Sequence, residues 1–134
     1  MQVSMVSAGI LGLLLVVLGF RISLLRRKLA VSTGDGGNAE LEGRVRAHGN
    51  CAEWAPIGLI LLFLAEQHAG ATWYVVALAA ALVGSRLLHP LGMALPGGNA
   101  PRAIAALLTY LAVAALAAVV LLGGLGRCAA CGAG

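Results

Sequence analysis

Charge is what this sequence has least of. Only 10% of its 134 residues are charged, five of them acids, against roughly 25% in an average soluble domain. With 60% hydrophobic residues and a mean hydropathy of +0.96, the composition is that of a membrane protein. Aromatic residues make up 4%, so none interleave with the basic residues, which scatter over helix ends. The net charge of +4 is therefore no nucleic-acid patch, and no nucleic-acid partner is expected. Cysteine is scarce too. Cys128-Ala-Ala-Cys131 has redox spacing in a small-residue tail without a thioredoxin-like context, and two cysteines are too few for a closed zinc site. No metal is expected; an oxidised pair is chemically possible if the tail lies outside the cytoplasm. Cys51 reads as a small packed hydrophobe.

What is present is apolar length. Four segments can cross a bilayer, since about 20 mostly apolar residues span its hydrocarbon core: Val3 to Leu25, Leu41 to Gln67, Thr72 to His89 and Pro101 to Leu125. The expectation is one all-α domain over residues 1–134, an integral membrane four-helix bundle with helices near 3–27, 40–67, 72–89 and 100–125. The first segment's charges follow the apolar stretch and no small-residue cleavage site precedes them, so it reads as a mature helix rather than a signal peptide. Asn38 should cap helix 2, with Glu40 and Glu42 in its first turn. His89-Pro90 should end helix 3, His89 capping it, while Asn99 and Pro101 open helix 4.

Topology follows from the positive charges. Eight of the nine Lys and Arg lie at or beside the loops joining helices 1 to 2 and 3 to 4. By the positive-inside rule those loops are cytoplasmic and both termini lie on the opposite side. Arg26, Arg27 and Lys28 read as topology anchors, Trp73 and Tyr74 as an interfacial pair, and Glu66 and His68 as interfacial residues of the far face.

Helix 2 breaks the apolar rule. At about 100° per residue, Glu42, Arg46, Asn50, Glu53 and Ile57 fall in one stripe, while Arg44 and His48 point to the opposite side. Charged groups in membrane helices face protein or a wet cavity, and four helices can hardly surround helix 2. An oligomer with helix 2 near its axis is expected, with a kink at Pro56. The stripe suits a small zwitterion with several carboxylates: arginine forks carboxylates, asparagine donates and accepts, glutamate holds an ammonium. Arg86 and Arg102 add positive potential, which favours a thiolate. Glutathione has two carboxylates, an ammonium and a thiol. The alternative use of Arg46 and Glu53 is an intersubunit ion pair that binds nothing.

The pattern Glu42-x-x-x-Arg46-Ala47-x-x-Asn50-x-x-Glu53-x-x-Pro56 resembles the helix 2 signature of the MAPEG family, the membrane-associated proteins in eicosanoid and glutathione metabolism. The basic end of helix 1, the GDGG turn of bacterial members, Arg86, and Pro101-Arg102 extend the likeness over nearly the whole chain. The resemblance implies a homotrimer of four-helix subunits, helix 2 near the trimer axis, that binds glutathione as co-substrate between subunits. It implies Arg46, Asn50 and Glu53 as holders of the peptide, His48 as a contact from the opposite face, and Arg102 as the catalytic residue that stabilises the thiolate. Arg26 matches the helix 1 arginine of many members, with Arg21 as the other possibility. A bacterial inner-membrane protein acting on a lipophilic small molecule is expected.

Departures narrow the reading. Trp54 and Met93 stand where eicosanoid-forming members carry tyrosines, which argues against a leukotriene or prostaglandin synthase. Three function classes remain: a glutathione transferase or peroxidase acting on lipophilic electrophiles, a non-catalytic binder or assembly protein, and a small drug exporter. The exporter ranks last, because helix 1 has no ionisable side chain before Arg21.

Overall fold

In lipid every backbone polar group must be satisfied within the protein, so apolar segments fold as helices. The computed structural model describes residues 2–94 and 100–131, apart from the side chains of 127 and 129–131. It has four helices: α1 Gln2–Leu29, α2 Ala39–Ala69, α3 Trp73–Ala94 and α4 Ala100–Cys131. α1, α3 and residues 100–126 of α4 are long and apolar enough to cross a membrane. α2 has 31 residues, about 46 Å at 1.5 Å per residue; the charges of its first half keep it from qualifying by composition. The chain is an all-α membrane bundle.

The loop chemistry acts as the residue types require. α1 ends on Ala30 in the left-handed region (φ 55°), with the Val31 N–H bonding the Arg26 carbonyl at 3.0 Å, a Schellman closure. Gly36 and Gly37 have positive φ, and the Gly37 N–H bonds Asp35 Oδ1 at 3.0 Å. Asn38 caps α2 as expected, its Oδ1 accepting from the Leu41 N–H at 2.9 Å.

Two expectations fail at the far end of α3. The helix does not stop at His89-Pro90 but runs through Pro90 to Ala94. Pro90 removes one helical hydrogen bond, yet the last turn docks on α4, with Gly92 against the backbone of Arg102. His89 is accordingly no cap; it is buried, and its Nδ1 has no hydrogen-bond partner among the described residues. α4 also outruns its expected end at Leu125, so Cys128 and Cys131 belong to a helix rather than a tail. Asn99 lies outside the described residues.

α2 and α3 each touch all three other helices, while α1 and α4 do not touch among the described residues. Leu62, Ala65, Val75, Ala79, Leu82, Ala112 and Leu116 form the α2–α3–α4 core; Leu11 and Leu18 of α1 pack with Cys51 and Ala55 of α2. Cys51 thus behaves as a small hydrophobe.

Glu66 brings a further correction. Far from facing an interface, it is 4% exposed, and its carboxylate accepts from the Val3 N–H at 3.0 Å, the Ser4 N–H at 2.9 Å and Ser4 Oγ at 2.6 Å. The first N–H groups of a helix have no internal acceptor and carry its positive dipole end, so this carboxylate from α2 closes the start of α1. Glu66→Ala leaves those buried donors unpaired, an expected cost of about 1–3 kcal/mol. Hydrogen exchange at Val3 and Ser4 should rise well above that at Leu11; unchanged protection there would refute the role.

Candidate functional site

α2 carries two polar faces in its first half, and the bundle treats them differently. On the inner side, Arg44 Nη1 donates to the Arg21 carbonyl at 2.9 Å and Nη2 pairs with Glu40 one turn earlier. His48 lies against α1, its Nε2 3.5 Å from where a Cβ on Gly19 would stand. On the outer side, Glu42, Arg46 and Glu53 are exposed and Asn50 is half-buried. Among the described residues Arg46 and Glu53 have no hydrogen-bond or ion-pair partner. The same outer stripe continues with exposed Ile57, Ile60 and Leu64, so one unpartnered face changes from polar to apolar along the helix.

Asn50 links this face to the interior. Its Oδ1 accepts from Arg86 Nη1 at 2.7 Å, which fixes the amide orientation and leaves its NH2 as the group free to donate. Arg86 is 1% exposed. Its Nη2 donates to Thr109 Oγ1 of α4, whose hydroxyl is 2.9 Å from Ser85 Oγ and 2.8 Å from the Ala105 carbonyl. Arg86 Nε has no hydrogen-bond partner among the described residues. A buried cation is thus held by neutral oxygens from two other helices, with no carboxylate bonded to it among the described residues.

Arg102 stands in the first turn of α4, after Pro101, and is exposed. Its Nη1 approaches Met93 Sδ at 3.9 Å. A Cβ on Gly92 would meet Arg102 N at 2.6 Å and Cα at 2.8 Å, so only glycine allows α3 and α4 this close. Gly92→Ala should cost about 1–3 kcal/mol through that backbone clash. Gly49→Ala, where nothing lies within 4 Å, should be harmless in the same thermal unfolding measurement; equal effects would contradict the packing argument.

Trp54 packs on Tyr110 of α4, ring centroids 5.0 Å apart at 53°. Arg26 is half-buried and its Nη1 has no hydrogen-bond partner among the described residues. The structure therefore joins Asn50 to Arg86 and Arg102 to Met93. It does not bring His48 onto the outer stripe, since it lies about 200° around α2 from Arg46, and no hydrogen bond or ion pair links Arg26 or His48 to Arg46, Asn50 or Glu53 among the described residues. Ser85, Thr109 and Tyr110 escaped the sequence reading. The signal available was their polarity inside otherwise apolar helices, which says that a partner exists without saying which.

Residues 4–122 match the model of the MAPEG family. Inner membrane protein YecN of Escherichia coli strain K12 is 37% identical over 91 residues, covering 68% of this chain and 70% of that protein. YecN of E. coli O6:H1 strain CFT073 gives the same values.

Proposed function

From the premise that this chain belongs to the MAPEG family, we propose that it is a membrane-embedded glutathione-binding protein that activates the glutathione thiolate toward lipophilic electrophiles. The observation that carries the reading is the outer stripe of α2. Arg46 and Glu53 stand exposed, with half-buried Asn50 between them, on a helix of a membrane bundle, where charge toward lipid is costly and points to function. Their chemistry is complementary to the peptide: the Arg46 fork takes a carboxylate, the Asn50 NH2 donates to an acceptor, and Glu53 takes the ammonium. Arg102, at the positive end of α4, stabilises the sulfur as thiolate. That sulfur then bonds the electrophilic carbon, and the leaving group departs with its electron pair.

The proposal includes a homotrimer. A face that is polar in one half and apolar in the other needs protein on it, and three α2 helices around an axis supply it. His48 and Arg26 then reach the ligand from the neighbouring subunit, which a single chain does not allow for His48. The protein sits in a bacterial inner membrane, as YecN does by its name. The Lys/Arg excess puts the α1–α2 and α3–α4 loops in the cytoplasm and the termini opposite.

The test is an ultraviolet difference spectrum of the detergent-purified protein with glutathione, titrated over pH. A thiolate band well below the free thiol's pKa supports the transferase reading. Calorimetric binding without the band reduces it to a non-catalytic binder, the reading that Trp54 and Met93 favour. Absence of binding leaves the stripe as an assembly surface.

A further inference from the structure

Tyr110, the only tyrosine of α4, is exposed, and its hydroxyl has no hydrogen-bond partner among the described residues. It stands ten residues into the helix, about 15 Å from the start. At that depth no water replaces a missing partner, and an unpaired hydroxyl is costly. Its ring is fixed nonetheless. Trp54, which follows Glu53 in α2, packs on it with centroids 5.0 Å apart. Thr109, its neighbour in α4, accepts from the Arg86 guanidinium that also holds Asn50 Oδ1, and this guanidinium lies within electrostatic range of the phenol. Tyr110 is therefore level with Asn50 and Glu53, at the α4 edge of the outer stripe.

The outer stripe lacks a donor at this level. Glutathione carries two carboxylates, and the stripe offers one arginine, Arg46. Arg46 and Glu53 are seven residues apart, about 10 Å along α2. With Glu53 on the ammonium, Arg46 is at the other end of the peptide and takes the glycine carboxylate. The γ-glutamyl carboxylate shares its carbon with the ammonium, so it lies at the Glu53 end, where the Asn50 NH2 is the donor that α2 supplies. The phenol of Tyr110 is a second donor there. Arg102 precedes Tyr110 by eight residues, about 12 Å along α4 and about 80° around it. Both side chains are exposed and serve one side of the helix, Arg102 toward the sulfur and Tyr110 toward the amino-acid head.

We infer that Tyr110 is a further ligand-contact residue, its hydroxyl donating to the γ-glutamyl carboxylate of bound glutathione. The inference rests on the glutathione reading of the outer stripe and adds the group that recognises the amino-acid head.

The experiment is calorimetric titration of glutathione, and of its γ-aminobutyryl analogue that lacks only the γ-glutamyl carboxylate, into the full chain and into Tyr110→Phe in nanodiscs of phosphatidylcholine. Phenylalanine keeps the ring on Trp54 and deletes the hydroxyl. Glutathione should bind the variant about tenfold more weakly, the worth of one hydrogen bond to a charged group. The analogue should bind both proteins alike, since the two deletions remove the same contact. The thiolate band of the saturated variant should titrate as in the parent chain, because Arg102 is untouched, and the thermal unfolding midpoint should stay where it was. Unchanged glutathione affinity in Tyr110→Phe overturns the inference and leaves the glutathione site standing. An equal loss for both peptides also overturns it, by putting the phenol on another part of the ligand. A lowered unfolding midpoint with unchanged affinity overturns it in favour of a hydrogen bond between subunits. Failure of the parent chain to bind glutathione overturns the reading of the stripe, and this inference with it.

Discussion

Arg102→Ala should abolish the glutathione thiolate band at neutral pH and lower turnover with a lipophilic electrophile by about 10²-fold, the scale on which losing one charge-stabilising donor acts. This corresponds to about 2.7 kcal/mol of transition-state stabilisation. The reason is local. Arg102 sits in the first turn of a 32-residue helix, so its guanidinium and the unpaired N–H groups of α4 put positive potential in one place. Peptide affinity should fall much less, because Arg46, Asn50 and Glu53 hold the carboxylates and the ammonium. Arg102→Lys should restore part of the band, since a point charge replaces the fork. Calorimetry beside the spectrum separates the cases. Equal losses of binding and turnover would make Arg102 an anchor for the peptide instead, and an unchanged band would remove it from the chemistry.

Arg86→Ala has the largest expected effect on stability. Two hydrogen bonds from a charged donor are lost, to Asn50 and Thr109, and each is worth roughly 1.5–3 kcal/mol. Removing a buried cation that no bonded carboxylate balances returns part of this, so a net loss of about 2–4 kcal/mol is expected. A double-mutant cycle with Asn50→Ala tests the link, because residues in one network are not additive. The double variant should cost clearly less than the sum of the two single ones in thermal unfolding. Additive costs would mean that Arg86 and Asn50 act separately. Glutathione binding gives a second readout: Arg86→Lys cannot reach both acceptors with the same fork, so it should release the Asn50 amide and weaken the peptide site even where the fold survives.

The contrast among the polar residues shows what periodicity can and cannot deliver. The stripe of Glu42, Arg46, Asn50 and Glu53 was legible because a helix has a known angular step, and four positions fix a face. The separation of Arg44 and His48 onto the opposite side followed from the same step, whereas the structure supplied α1 as the helix they face. Arg86 was visible only as a cation late in helix 3; that it is buried and bonded to α2 and α4 depends on which helices cross there. Glu66 was misread for a related reason. A carboxylate near the end of an apolar segment resembles an interfacial residue until the start of another helix is placed beside it.

The sequence by itself determined the solvent, the number of helices, the cap at Asn38 and the polar face of α2, since these depend on composition and on spacing along one chain. Only the tertiary structure decided that α3 continues through Pro90, because docking of Gly92 on α4 outweighs one missing hydrogen bond. It alone tied α1 to Glu66, set Arg86 between Asn50 and Thr109, and stacked Tyr110 on Trp54. Those are contacts between residues far apart in the chain, and a sequence read along its length carries the need for a partner without its identity.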